Sequence, residues 1–150
     1  MIKPVQLRLG NYIYSPYHGK RMQVEEISHK FLVLNDAMQL RVWFHDYEFE
    51  EISLTPEILE EFGFACINKV SFIFREHTKE DDNECLFLQP TEAGSNAEWQ
   101  ITYTCNSKTA DLKCTIKYLH ELQNMYYDLT GEELAMKSSL SATSTFQIAV

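Results

Sequence analysis

Apolar and polar residues alternate in short bursts over most of this chain, and only two stretches change to helical spacing. Tyr12-Ile13-Tyr14, Phe31 to Leu34, Leu40 to Phe44 and Phe49 to Leu54 are apolar or alternating runs of strand length. Val5 to Leu9 alternates too, and Gly10-Asn11 turns the chain after it. Met22, Val24 and Ile27 predict a strand with a bulge or a bend. Ser15 to Gly19 reads as a loop from its Pro and Gly, and Asn35-Asp36-Ala37 reads as a hairpin turn. These short strands and tight turns predict a small SH3-like antiparallel β-barrel, or a curled sheet, over residues 1–54.

The first helical stretch is short. Thr55 is an N-cap type, Pro56 suits the first helical position, Glu57 faces the positive end of the helix dipole, and Gly63 ends the segment. Leu54 and Leu59 are spaced as a hydrophobic staple. The second stretch is longer. Leu119, Leu122, Tyr126 and Leu129 recur at three, four and three residues, Met125 widens the stripe, and Gly131 supplies a left-handed stop. His120, Glu121, Gln123, Asn124 and Asp128 fall mostly on the other side, and His120 and Gln123-Asn124 read as polar surface or as groups bonding the sheet's loops. Thr130 and Glu133 have capping-box spacing, which predicts a second short helix there.

Between the helices lie strand-like runs at Phe64 to Phe74, Cys85 to Leu88, Trp99 to Cys105 and Leu112 to Ile116, with polar loops at Thr78 to Asn83 and Thr91 to Asn96. The expected fold is α+β: an N-terminal barrel (1–54), a connector helix, and an antiparallel sheet packed by one C-terminal helix (55–136). The Ser/Thr-rich residues 137–150 form an expected loose tail, with Phe146 to Val150 available as an edge strand.

Composition fits a globular chain: 45% of its 150 residues are hydrophobic and 13% aromatic. No apolar run approaches the ~20 residues of a membrane helix, and the N-terminus lacks a secretory apolar core, so the expected compartment is the cytoplasm. Four separated cysteines, without a Cys-x-x-Cys pair, predict buried free thiols and no zinc site. Charge changes the picture more. Residues 1–41 hold six Lys/Arg against three Asp/Glu, and residues 42–150 hold seven against nineteen, which together give the net −9. No basic residue occurs from Val42 to Asn68. Such an exterior repels phosphate backbones over most of its area and suits a partner protein with a basic surface.

Motifs for chemistry break at decisive positions. His120-Glu121 could open a His-Glu-x-x-His zinc helix, but Asn124 stands where the second histidine is required. The five glycines are isolated, so no phosphate loop forms. Asp81-Asp82-Asn83-Glu84 lacks the glycine and ligand spacing of a calcium loop. The sequence therefore yields no catalytic, cofactor-binding or metal-ligating residue. Its candidates for partner binding are the acids Glu48, Glu50, Glu51, Glu57, Glu60 and Glu61, and the aromatic, basic loop of Tyr14, Tyr17, Lys20 and Arg21.

Three patches also carry a resemblance. Leu7-Arg8-Leu9-Gly10-Asn11, Ser53 to Leu59 with Phe62-Gly63-Phe64, and Tyr118 to Asn124 with Leu129 to Leu134 follow one another in an order and spacing that resembles a family of small proteins encoded by phages, prophages and other mobile elements of gut bacteria. That family has no assigned activity, so the resemblance implies a setting, a bacterial cytoplasm during phage or element carriage, and no functional residue. Residues after Leu134 depart from its pattern. The resulting expectation is a non-catalytic accessory protein that binds another protein through its acidic surface, for example as an inhibitor of a host defence nuclease. The alternatives are a nucleic-acid module built on the basic N-terminal part, and an enzyme of an unfamiliar kind.

Overall fold

The computed structural model describes residues 2–28, 31–36, 38–43, 49–76, 84–92, 97–105 and 108–137. It shows an α+β protein dominated by antiparallel sheet, divided into two compact units: residues 1–53 with 118–133, and residues 54–117 with 134–150.

The first unit holds a four-stranded sheet in the order β1 (Tyr12–Ser15), β2 (Lys20–Ile27), β3 (Phe31–Asp36), β4 (Met38–Trp43). Alternation decides the faces. Ile13, Met22, Val24 and Leu34 point into a core with Ile2, Leu7 and Phe49, while Tyr12, Tyr14, Arg21 and Gln23 line the opposite face. The bulge foreseen from Met22, Val24 and Ile27 lies between Val24 and Glu26. The β3–β4 turn is tight, with Asp36 paired to Met38. Among the described residues the sheet is open: β1 and β4 are its two ends.

Val5 to Leu9 is not a strand. Pro4–Gln6 forms a single 3-10 turn, because Pro4 has no N–H to give a ladder. Only Leu7 reaches the core; Val5 and Leu9 are exposed, so the alternation there reflected one anchor. Phe49 to Leu54 pairs only through isolated bridges, Tyr14 with Glu50 and Ser53 with Tyr118.

Helix α2 (Leu119–Thr130) belongs to this same unit. Its start is tied by Glu121, whose carboxylate accepts from the Tyr118 N–H at 3.0 Å, and its end by Gly131 at φ 75°. The sequence reading placed this helix over the second sheet. Its hydrogen bonds within the first unit run to residues 6–12 through two side-chain amides and to the Ile52 carbonyl from the Leu119 N–H. Residues 131–136 are not helical where a second short helix was expected to begin: the Thr130 hydroxyl donates back to the Tyr126 carbonyl at 2.8 Å and sits inside the last turn of α2.

The second unit starts with α1 (Pro56–Glu61), capped by the Thr55 hydroxyl, which accepts from the Ile58 N–H at 3.3 Å. Leu54 and Leu59 are both buried, as a staple requires. Gly63 at φ 89° ends the turn, and a Cβ there would meet the Phe74 ring at 3.2 Å. A meander of five strands follows in sequential order: β5 (Ala65–Cys66), β6 (Phe72–Glu76), β7 (Glu84–Pro90), β8 (Trp99–Cys105) and β9 (Lys108–Ile116). The β-prone run Phe64 to Phe74 thus splits into a hairpin. Phe72, Leu86, Leu88, Trp99, Ile101 and Ile116 form its buried side.

Cys66, Cys85 and Cys114 are free but not buried. Cys66 and Cys114 are exposed and Cys85 is half-buried, because Cys66 and Cys114 occupy the edge strands β5 and β9. The charged loop at Thr78 to Asn83 and the 138–150 part of the tail lie outside the described residues. No helix among the described residues is long and apolar enough to cross a membrane.

Candidate functional site

The patches Leu7 to Asn11 and Tyr118 to Asn124 converge on one polar network in the first unit. Gln123 is fully buried on α2. Its Oε1 accepts from the Tyr12 N–H at 2.9 Å and its Nε2 donates to the Gly10 carbonyl at 3.0 Å. Gln23 donates to that same carbonyl at 3.1 Å. Asn124 Nδ2 donates to the Gln6 carbonyl, and Asn124 Oδ1 accepts from Asn11 Nδ2, both at 3.0 Å. Asn11 Oδ1 in turn accepts from the Arg8 N–H at 2.7 Å. The logic is one of satisfaction: a loop at Gly10-Asn11 leaves backbone groups without a ladder, and amides from the helix supply them.

Arg8 fastens the far end. Its guanidinium lies 3.6 Å from the centre of the Tyr127 ring and 3.2 Å from Glu133. Gly10 at φ 87° leaves space for that carboxylate, since a Cβ would stand 3.2 Å from Glu133 Oε2. These motif residues therefore hold a helix to a sheet, and the side-chain amides of Asn11, Gln123 and Asn124 are already engaged.

His120, read as lying mostly on the polar side of its helix, is buried and stacked on Tyr118 at 6.0 Å between ring centres. Burial lowers its pKa from 6.5, against the pull of Glu121 and Glu51, and its Nδ1 has no hydrogen-bond partner among the described residues. Ser15 and His18 form a Ser–His contact of 2.8 Å, but Ser15 is wholly buried and three residues away in one turn, which makes this a turn brace. Among the described residues no three His, Cys, Asp or Glu side chains gather as a metal site.

The aromatic and basic candidates do share a hairpin. Tyr14 stands opposite Arg21 and Ser15 opposite Lys20, and Tyr17 at the tip is 73% exposed. On the other flank of Tyr14, Glu50 exchanges backbone hydrogen bonds with it at 3.0 and 2.9 Å. One row across the sheet thus reads Glu50, Tyr14, Arg21, and it is mixed in charge. Arg21 counteracts the upward push of burial on the Tyr12 hydroxyl pKa. Glu25, Glu26 and Arg41 continue the mixture around an open hollow of ≈ 820 Å³.

The acidic candidates separate. Glu50 and Glu51 belong to the first unit, Glu57, Glu60 and Glu61 to α1 in the second, and Glu48 lies outside the described residues. On α1 the three carboxylates stand at i, i+3 and i+4, and Glu57 and Glu60 are exposed. No basic residue occupies the last turn.

A second hollow, of ≈ 420 Å³, lies in the second unit beside α1. Pro56, Val70, Pro90 and Trp99 supply apolar walls, with Glu57, Glu92 and Lys69 among its charged lining. It is assembled from four separate segments, so no contiguous motif could announce it. The one local signal is the turn Asn68-Lys69-Val70, which has no glycine. No family model, curated protein or solved structure matches this chain.

Proposed function

We propose that this chain is a non-catalytic binding protein whose acidic surface engages a basic partner protein. The observation that carries this reading is the α1 flank. Glu57 neighbours both Glu60 and Glu61 on a helix of six residues, and the latter two stand at its negative end. Each like-charged neighbour pair costs about 0.2–0.5 kcal/mol. Glu57 gains from the helix dipole in the first turn, but Glu60 and Glu61 at the negative end gain nothing from it, whereas a basic surface would complement all three. The resemblance of the three patches to phage and mobile-element proteins supports a cytoplasmic setting, in which the groove of a host defence nuclease is one basic surface on offer.

The test is capture of the partner from a host lysate with the parent chain and with Glu57→Lys/Glu60→Lys/Glu61→Lys, at low and high salt. Retention by the parent at low salt, and loss in the variant, supports the reading. Capture indifferent to the reversal and to salt refutes it.

The hairpin favours a second reading. Tyr14, Tyr17, Lys20 and Arg21 lie together, which supports a single-stranded nucleic-acid contact by stacking and charge. The bridge from Glu50 to β1 supports the SH3-like view of this sheet by adding a pairing on its free edge. Glu50 also places a carboxylate in the row that phosphate would approach, which weighs against nucleic acid. Absence of binding to single-stranded DNA on filters at about 50 mM salt removes this reading.

A further inference from the structure

The hollow beside α1 combines features that folding does not require. Lys69 has φ 66°, the sole non-glycine residue at positive φ among the described residues. A left-handed backbone is costly for an L-residue, and glycine would remove that cost. The same turn exposes Ile67 by 51% and Val70 by 54%. A strained turn that shows two large aliphatic side chains to solvent departs from local preference at a concave site, which is where function is most often found.

The walls are fixed from behind. The Trp99 indole N–H donates to the Leu54 carbonyl at 3.2 Å, and its ring meets Phe72 edge-on at 5.8 Å between centres. The hollow is therefore preformed, and its volume falls in the range that holds a side chain or small ligand. Its charges are Glu57, Glu92 and Lys69, net negative, and Glu57 is also part of the acidic α1 flank. An apolar cavity that continues into an acidic helix face complements one occupant in particular: a large aliphatic side chain flanked by lysine or arginine.

We infer that this hollow is the anchor pocket for such a basic–apolar segment of the partner protein. The inference rests on the acidic-surface reading and goes beyond it by naming the feature recognised. Aliphatic burial supplies affinity, Glu57 and Glu92 select the flanking cations, and the remaining α1 carboxylates steer approach.

The test is a titration of the full-length, 15N-labelled chain with two probe peptides, blocked Lys-Arg-Leu-Arg-Lys and blocked Lys-Arg-Ala-Arg-Lys. The expected result is saturable shifts at the Trp99 indole N–H and the Val70 and Ala97 amides with the leucine peptide. Its dissociation constant should be at least about tenfold lower than that of the alanine peptide, as burial of the larger side chain requires. Val70→Asp, at an exposed turn position, should remove that preference while leaving the rest of the spectrum unchanged. If both peptides shift only Glu57 and Glu60 and to the same extent, the pocket is overturned and the acidic-surface reading stands. If neither peptide shifts any resonance, both are overturned.

Discussion

Replacing Gln123 by methionine removes one amide while nearly keeping its length and volume. Gln123 is fully buried and makes two backbone hydrogen bonds, to Tyr12 N–H and to the Gly10 carbonyl. The Gly10 carbonyl retains the bond from Gln23, so its loss is small. The Tyr12 N–H loses its bond to Gln123 outright. Leaving a buried donor unpaired costs about 1–3 kcal/mol. For a chain of this length, 1 kcal/mol moves the midpoint by about 2–4 °C, so Gln123→Met should unfold about 2–12 °C lower. Thermal unfolding by circular dichroism measures the total, and amide exchange assigns it: Tyr12 should lose protection. Asn124→Ala frees the exposed Gln6 carbonyl and also leaves the Nδ2 amide of the fully buried Asn11 unpaired, so it should cost a similar amount. If Gln123→Met is within about 0.5 kcal/mol of the parent and Tyr12 keeps its protection, the helix is not tied to the sheet by this amide.

His120 gives a pH test. Its native pKa lies below 6.5, so the unfolded chain binds the proton more readily as pH falls. The contribution is complete above about pH 6.5 and is lost as pH drops through the native value; denaturant midpoints of the parent should fall over that window, and those of His120→Phe should fall less. Lys69→Gly should raise stability by about 1 kcal/mol in urea titrations by relieving its positive φ. Leu122→Ala, at a fully buried position of α2, should cost about 2–5 kcal/mol by the same measurement. Gly10→Ala should cost about 1–2 kcal/mol from backbone strain, with little recovered in the Gly10→Ala/Glu133→Ala double variant if φ and not crowding dominates.

Local signals carried most of the elements. Thr55-Pro56 and Gly63 bounded α1, Gly131 ended α2, and Trp99 to Cys105 emerged as a strand with the same limits. Each depends on residues within a few positions, through caps, fixed φ values or alternation. The failures share the opposite property. Val5, Leu7 and Leu9 mimic a strand because three points cannot separate true alternation from one anchored side chain. His120 and Gln123 lie beside the apolar stripe, where polarity leaves open a surface position or a bond to the sheet's loops; Gln123 takes the second, and His120 is buried, which no local signal distinguishes.

The amino-acid order by itself determined an α+β chain of mainly antiparallel strands, the ends of its two helices and an excess of negative charge, since these follow from neighbours and from counting. Which sheet receives α2 was decided only in three dimensions, because an apolar stripe fits any apolar face and the choice fell to amides at Gln123 and Asn124 meeting backbone more than a hundred residues away. The hollow at Trp99 was decided there too: four segments, each unremarkable in sequence, create a cavity only when the meander and α1 bring them together.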